Sequence, residues 1–156
     1  MKSLIIPVAG KSSRYPGMRP KWLLTMPDGK LMIEKSVSLF NLNKFKRIII
    51  IALNEHIKKF SEINVLKKVL KKNISEKIEL ILLKKETSCQ AETVMRGLEL
   101  AKVKGGFIIK DVDNIFSQKI FKNNINQISV INSKKIDLLD AKSKSYISFD
   151  KLGKVI

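Results

Sequence analysis

The sequence is poor in the residues on which disulfide frameworks, metal clusters and many catalytic triads depend. Its 156 residues include one cysteine, Cys89, and one histidine, His56. A single cysteine excludes a disulfide within the chain and is typical of a reducing compartment. One cysteine and one histidine also exclude a Cys/His zinc site formed by one chain. A Ser-His-Asp triad would have to use His56, which lies in a polar, helix-like stretch that disfavours this role.

Long apolar runs are missing as well. The longest, at 48–53, is far shorter than the roughly 20 residues that cross a bilayer, and the apolar stretch at the amino terminus is too short for a secretory signal. We therefore expect a cytoplasmic protein with no membrane partner. The length and the 44% hydrophobic content predict one folded domain over residues 1–156 rather than a disordered chain.

Acidic residues are few compared with basic ones, 14 against 31, which gives a net charge of +17. Lysine supplies most of this charge, and two interpretations stay open. The lysines either form solvated helix faces, or they attract anionic substrates or polyanions over a distance. Aromatic residues make up only 6% of the chain and are not interleaved with a basic strand motif, which disfavours nucleic-acid binding.

Apolar periodicity predicts strands that alternate with helices. This alternation is typical of parallel βαβ units with right-handed crossovers, and ligands of such sheets bind at the carboxyl ends of the strands. The loop at Gly10 and the acidic loop at Asp111 both follow predicted strands, so they could converge on one site. The predicted strands are 3–8, 47–53, 77–83, 106–110, 127–132 and 145–149, and the predicted helices are 31–42, 55–72 and 90–101. In the last helix, the residues expected to face inward are Ala91, Val94, Met95, Leu98 and Ala101.

The segment that begins with the first strand carries the clearest chemical signal. An apolar run breaks at Gly10 and is followed by hydroxyls, Arg14 and, seven residues later, Lys21. A strand that ends in a small-residue loop with cations is a common way to hold a triphosphate, because backbone N–H groups and fixed positive charge meet there. The spacing matches neither a Walker loop nor a dinucleotide fingerprint. On spacing alone, a tight turn after a strand is an equally good interpretation.

The residues of this segment resemble a known family. Val8-Ala9-Gly10-Lys11-Ser12-Ser13-Arg14, followed by Pro20-Lys21, is similar to the signature of the sugar-phosphate nucleotidyltransferases, Ala-Gly-x-Gly-Ser/Thr-Arg and then Pro-Lys-x-Leu-Leu. Two later segments agree in order and spacing: 87–94 resembles the family's base-recognising segment, and 110–116 resembles its metal-binding Asp loop. The resemblance implies a Rossmann-like, three-layer α/β/α fold with a mostly parallel sheet, of the nucleotide-diphospho-sugar transferase type.

The same resemblance implies an activity. A nucleoside monophosphate, CMP or UMP, would pass from CTP or UTP to a sugar phosphate or another small phosphorylated acceptor, with release of pyrophosphate and with Mg²⁺ as the cofactor. This chemistry needs no histidine, because a phosphate monoester is largely dianionic at neutral pH and can attack without a general base. Positioning and charge stabilisation supply most of the catalysis in phosphoryl transfer.

The resemblance also implies a role for each matching residue. Arg14 would hold the leaving pyrophosphate and Lys21 would lie between the α-phosphate and the acceptor phosphate, which makes these two the catalytic candidates. Gln90 would read a pyrimidine edge. Asp111 and Asp113 would offer carboxylate oxygens to Mg²⁺, with one or both of them as ligands. The expected nucleotide-binding residues are Val8, Ala9, Gly10, Lys11, Ser12, Ser13, Gln90, Ala91 and Glu92.

The chain departs from the family pattern in two ways. Ser12 stands where the family usually has glycine, and its Cβ narrows the approach of a phosphate to the backbone. The chain ends at Ile156, whereas family members usually continue well beyond this point. The resemblance therefore implies an apparently truncated member that covers only the nucleotide-binding part. It is expected to be an incomplete enzyme, a truncated product, or a form completed by another chain, either a second copy in a homo-oligomer or a different partner.

Details of the later motifs favour one branch of the family. The Gln-Ala-Glu-Thr-Val segment at 90–94 and the Asp-x-Asp-Asn segment at 111–114 resemble a branch that cytidylylates phosphorylated acceptors other than ordinary hexose phosphates. The family resemblance also implies a role in capsule or other surface glycan synthesis. Two alternatives stay open. The chain could bind nucleotides without completing the reaction, or its charge could make it a basic nucleic-acid-binding protein.

Overall fold

The computed structural model describes residues 2–11, 17–116, 148, 150 and 151. The chain divides into two compact units, 1–120 and 121–156, and every element named below lies in the first unit. The strands predicted at 127–132 and 145–149 fall almost entirely outside the described residues. Those two strands, and the single domain predicted over 1–156, therefore stay predictions.

Four strands of the first unit form one parallel sheet. They are β1 (Lys2–Pro7), β2 (Phe45–Leu53), β3 (Ile78–Leu83) and β4 (Phe107–Ile109), and their order across the sheet is β3-β2-β1-β4. Each was predicted to within a few residues. The direction in which successive strands are added reverses at β1, since β2 and β3 lie on one side of it and β4 on the other.

Helices cover both faces of this sheet. They are α1 (Met32–Val37), α2 (Asn54–Phe60), α3 (Ile63–Asn73) and α4 (Gln90–Leu100). Ile48 and Ile50 of β2 join the apolar cluster beneath α1, α2 and α3, whereas Ile49 and Ile51 join the cluster beneath α4. Side chains of a strand alternate between its two faces, so a continuous apolar run is what a strand covered on both sides requires. The predicted three-layer α/β fold is confirmed.

The predicted helix 55–72 is in fact two helices, α2 and α3. They are separated by Ser61 and Glu62 in extended backbone, and the Ser61 N–H closes α2 on the Ile57 carbonyl at 2.9 Å. In one continuous helix, Ile57 and Leu66 would point about 180° apart, at about 100° per residue. The break brings both side chains into the same core cluster.

The predicted helix 31–42 is shorter than expected and ends at Val37. The hydroxyls of Ser36 and Ser38 donate to the carbonyls of Ile33 and Lys35, and such local bonds compete with a regular helix. A separate 3₁₀ turn at Leu42–Lys44 then leads into β2.

The inward face predicted for α4 was partly wrong. Val94 and Ala101 are buried as predicted, but Ala91 and Met95 are exposed, and Thr93 and Gly97 are buried in addition. The helix is thus rotated about its axis relative to the prediction. Gly97 allows this rotation, because a Cβ on it would clash with the Ile51 Cδ1 atom. Among the described helices, none is long and apolar enough to cross a membrane.

Candidate functional site

The carboxyl ends of β1 and β4 meet at the point where the strand order reverses. In open α/β sheets, ligands bind in the crevice at such a point. The Val8 N–H extends the β1–β2 pairing by donating to the Ile51 carbonyl at 2.8 Å. The Val8 and Ala9 side chains are buried in the two core clusters on opposite faces of the sheet. Only their backbone could therefore face a ligand. Gly10 is exposed, and a Cβ built on it would meet no described atom within 4 Å.

Lys21 is held in place by the hydrophobic residues that follow it. It begins a 3₁₀ turn, Lys21–Leu23, in which Trp22 and Leu23 are buried in the core. The Lys21 ammonium lies 3.0 Å from the Asp113 carboxylate, and this contact joins segments 92 residues apart in the sequence. The structure thus brings the predicted cation and the predicted acidic loop together.

Gln90, from a third segment of the chain, contacts the same acidic loop. It is the first residue of α4, and its side-chain amide donates to the Oδ1 atom of Asp111. The segments that follow β1, β3 and β4 therefore converge on Asp111 and Asp113. Both carboxylates accept from side chains of other segments, and both were predicted from the sequence as metal ligands.

The electrostatics of the loop keep Asp113 ionised. Partial burial raises the pKa of this carboxyl, but the hydrogen bond and the charge of Lys21, helped by the charge of Lys110, outweigh burial, so its pKa lies below the ordinary value. A carboxylate held in its charged form is suited to a cation such as Mg²⁺.

The burial of Lys110, at the end of β4, was not predicted from the sequence. Its N–H donates to the Ile5 carbonyl at 2.9 Å, which continues the β4–β1 pairing, and the residue is only 1% exposed. The ammonium donates to the Asp111 carbonyl, and to the carbonyl and side-chain oxygen of Asn114 at 2.8 and 2.6 Å. Burial lowers the pKa of Lys110, and the charges of Asp111 and Asp113 oppose this shift.

One signal in the sequence could have identified Lys110 as buried. It lies two residues after Ile108, which packs against the core beneath α1. Successive residues of a strand alternate between faces, so Lys110 had to point toward the same apolar layer. The charge of Lys110, taken by itself, had suggested a position on the surface.

Two other predicted nucleotide-binding residues are engaged in contacts within the chain. Lys11 forms an ion pair of 2.6 Å with Glu86, which follows β3, and the hydrogen bond that Lys11 donates to this carboxylate raises the pKa of Lys11. Glu92 accepts from the backbone N–H of Ser88 at 2.6 Å and from its hydroxyl at 2.8 Å, and it pairs with Arg96 at 2.5 Å. These contacts stabilise the start of α4. Ala91 is exposed on the same first turn.

Ser12, Ser13 and Arg14 lie outside the described residues. Their predicted contacts with phosphate, and the role of Arg14 toward pyrophosphate, therefore stay predictions.

The donor set of the acidic loop fits a magnesium ion that also binds substrate. Among the described residues, no three His, Cys, Asp or Glu side chains are grouped to hold a metal. Mg²⁺ commonly takes only one or two carboxylates and completes its shell with water and substrate phosphates. Asp111 and Asp113 can supply that smaller set.

Two concavities among the described residues lie away from this edge. One, of about 240 Å³, is lined by Lys67, Lys71 and Glu79. The other, of about 550 Å³, includes Glu34, whose two oxygens accept from the Leu31 N–H and from the Asn73 amide. Neither includes a predicted site residue, so we place the candidate site at the strand ends, where the chemistry-bearing side chains meet.

Comparison with known proteins identifies a solved structure that is similar to this chain. A nucleoside-diphosphate-sugar pyrophosphorylase from Vibrio cholerae RC9 superposes with a TM-score of 0.59 and 26% sequence identity, over 77% of this chain and 51% of that chain. The chain is similar in fold and in sequence to a sugar-nucleotide pyrophosphorylase. It spans about half the length of the Vibrio protein.

A second solved structure is less similar. The UTP-bound UGPase from Acinetobacter baumannii matches with a TM-score of 0.47 and 16% identity, over 70% of this chain and 44% of that chain. A TM-score below 0.5 does not establish a shared fold. No family model matches the chain, and no curated protein sequence matches it significantly.

Proposed function

We propose that this chain acts as a cytoplasmic nucleotidyltransferase that moves CMP or UMP from the corresponding triphosphate to a small phosphorylated acceptor. The observation that carries the proposal is the 3.0 Å contact between the Lys21 ammonium and the Asp113 carboxylate beside the reversal point of the sheet. A magnesium–triphosphate complex needs a cation for its phosphates and a carboxylate for its metal, side by side. The similarity to the Vibrio pyrophosphorylase supports the same reaction class.

In the proposed reaction, an oxygen of the acceptor phosphate attacks the α-phosphorus of the triphosphate. The new P–O bond forms while the bond from the α-phosphorus to the bridging oxygen breaks, and pyrophosphate leaves with that electron pair. The acceptor phosphate is already largely dianionic, so no residue has to remove a proton. Bound Mg²⁺ would neutralise charge on the phosphates.

The chain's own residues would position the reactants. Lys21 would leave Asp113 and lie between the α-phosphate and the acceptor phosphate, while Arg14 would hold the leaving pyrophosphate. Gln90 would release Asp111 and donate to the pyrimidine. Ser12, Ser13 and the backbone from Val8 to Lys11 would line the triphosphate and ribose, with the first turn of α4 at Ala91 and Glu92 nearby.

The acceptor and the biological setting form the finer part of the proposal. We propose a sugar phosphate or a related phosphorylated alcohol as the acceptor, and a product used in capsule or other surface glycan synthesis. The Asp-x-Asp-Asn segment favours the cytidylyltransferase branch. We also propose that a second copy or another chain contributes to the acceptor side.

Thermal unfolding with nucleotides tests the proposal directly. A ligand at about 100 times its dissociation constant stabilises by about 2.7 kcal/mol, or roughly 5–10 °C for a domain of this size. We expect CTP or UTP with Mg²⁺ to raise the melting temperature by this amount, and ATP and GTP to raise it less. If none of the four triphosphates has an effect, the proposed function is wrong.

Release of pyrophosphate then separates transfer from binding alone. With the preferred triphosphate and a panel of sugar phosphates and phosphorylated alcohols, we expect pyrophosphate to appear only when an acceptor is present. Stabilisation by the triphosphate without release on any acceptor would favour the alternative of a nucleotide-binding chain that does not complete the reaction.

A further inference from the structure

The side chain of Lys110 occupies an unusual environment for a charged group. It points into the apolar layer beneath α1, where its ammonium lies 4.8 Å from the ring centre of Phe116 and 5.9 Å from that of Phe40. Burial of an ammonium in such a layer is strongly unfavourable unless its donors are satisfied. A structure under no other constraint would gain by placing an apolar residue here.

All three donors of this ammonium are used, and all on one turn. They reach the Asp111 carbonyl, the Asn114 carbonyl and the Asn114 side-chain oxygen. Each of these acceptors is neutral, so the contacts do not form an ion pair. They hold the backbone from Asp111 to Asn114 around one ammonium group. We call this set of three hydrogen bonds the Lys110 clamp.

The clamp is anchored on the rigid part of the fold. The Lys110 N–H is bonded to the Ile5 carbonyl of β1 at 2.9 Å, and Ile5 is fully buried in the central strand. The clamp thus connects the sheet to the turn that carries Asp111 and Asp113. Neither carboxylate is bonded by the ammonium through its own oxygens, which leaves those oxygens available to other partners.

We propose that Lys110 is a positioning residue, whose clamp holds the Asp111–Asn114 turn in the shape that a metal–nucleotide complex requires. The inference rests on the proposed function and extends it. Mg²⁺ demands near-ideal octahedral geometry, and groups that orient metal ligands from behind commonly change metal affinity 10- to 100-fold when they are removed. The positive charge of Lys110 also repels a nearby metal ion and so lowers metal affinity. The clamp therefore has to raise the affinity for Mg²⁺, by orienting its ligands, by more than this repulsion lowers it.

The test compares Lys110→Met with wild type. Methionine keeps much of the volume and removes the charge and all three donors, and replacing a buried charge by an apolar group of similar size is often tolerated. We expect metal-free binding of the preferred triphosphate to stay within about twofold, while the gain in affinity on adding Mg²⁺ falls at least 10-fold. A general folding defect would lower triphosphate affinity both with and without Mg²⁺. Loss of charge repulsion alone would increase the gain in affinity that Mg²⁺ provides. Either result would overturn the proposal.

Two further variants sharpen the comparison. Asn114→Ala removes one acceptor of the clamp and should reduce the Mg²⁺ gain in the same direction, with little further loss in the double variant. Lys104→Met removes the same charge from an exposed position and should change nothing. Equal effects of Lys104→Met and Lys110→Met would show that only net charge matters, and the clamp would be rejected.

Backbone relaxation of the ligand-free protein, measured by NMR, tests the clamp without any nucleotide. In Lys110→Met, the order parameters of the amides of 111–116 should fall to about 0.6 or lower, while those of β2 should stay near about 0.85. Unchanged order parameters of 111–116 reject the clamp, whatever the protein binds. If wild type shows no response to Mg²⁺ or triphosphate, the proposed function and the positioning role both fail, even if the relaxation data show the clamp itself.

Discussion

At the scale of single residues, the contact between Lys21 and Asp113 contributes little to stability and lies at the centre of the proposed site. The two side chains are 50% and 51% exposed, and ion pairs with such exposure contribute roughly 0–1 kcal/mol to folding. Yet the pair joins two distant segments at the strand ends, where the fold places ligands. A pair that adds little stability in such a place is suited to be opened by a substrate.

Lys21→Met and Asp113→Asn should separate these two roles. We expect each variant to lower kcat/KM for pyrophosphate release by about 100-fold or more, because one group that stabilises developing charge is lost. The free energy of unfolding in urea should change by less than about 1 kcal/mol.

The two variants should differ in their metal requirement, and this difference provides the control. Asp113→Asn is expected to raise the Mg²⁺ concentration needed for half-maximal rate, while Lys21→Met is not. Lys30→Met, in the exposed turn before α1, should behave as wild type. Full activity of Lys21→Met would contradict its proposed place between the phosphates.

The residue scale also shows where prediction from sequence stops. Lys21 and Asp113 were expected to lie together because their motifs follow strands of one parallel sheet, and the structure places them together. Lys110 was not singled out, because a lysine in a sequence with net charge +17 is usually a surface residue. Its partners are backbone and amide oxygens of a turn, and the position of such oxygens cannot be read from residue types.

At the scale of elements, the contact between α4 and β2 sets the face that the helix presents. Gly97 rests on Ile51, which is fully buried. Periodicity predicted Ala91 and Met95 inward because both are apolar, but close approach of the helix backbone to the sheet outweighs the gain from burying a methionine. This rotation also determines how Gln90, at the start of α4, faces the Asp111 loop.

Gly97→Ala should therefore destabilise the protein although alanine is the better helix former. Overpacking of a core typically costs about 1–3 kcal/mol, and the gain in helix propensity, about 1 kcal/mol, offsets part of it. We expect a net loss on the order of 1 kcal/mol in urea unfolding. In an Ile51→Ala background, which removes the clashing side chain, the same substitution should cost little or should stabilise. An equal loss in both backgrounds would contradict a direct contact.

At the scale of the whole molecule, the net charge of +17 acts on every anion that approaches. Such a field speeds association with nucleotides and also favours loose binding of nucleic acids. The two effects differ in their response to salt, since loose polyanion binding depends on release of many counterions, whereas a triphosphate in a formed site also makes short-range contacts.

Salt titration should distinguish specific from general binding. Between 50 and 200 mM NaCl, we expect affinity for a single-stranded RNA to fall at least 10-fold, and affinity for the preferred triphosphate with Mg²⁺ to fall on the order of threefold. Filter binding for RNA and calorimetry for the triphosphate provide the two measurements. RNA affinity that stays tighter than triphosphate affinity at 200 mM NaCl would favour the nucleic-acid-binding alternative instead.

The sequence by itself determined the four described strands, the parallel α/β class and the placement of the Gly10 and Asp111 loops after strands, because apolar periodicity and chain order are local properties. The tertiary structure decided which side chains meet. Packing against the sheet interrupts the predicted helix at Ser61 and sets Gly97 on the buried face of α4. The pairing of β4 with β1 directs Lys110 into the core beneath the Asp111 turn. These outcomes depend on contacts between residues far apart in the chain, where burial and steric fit outweigh local preference.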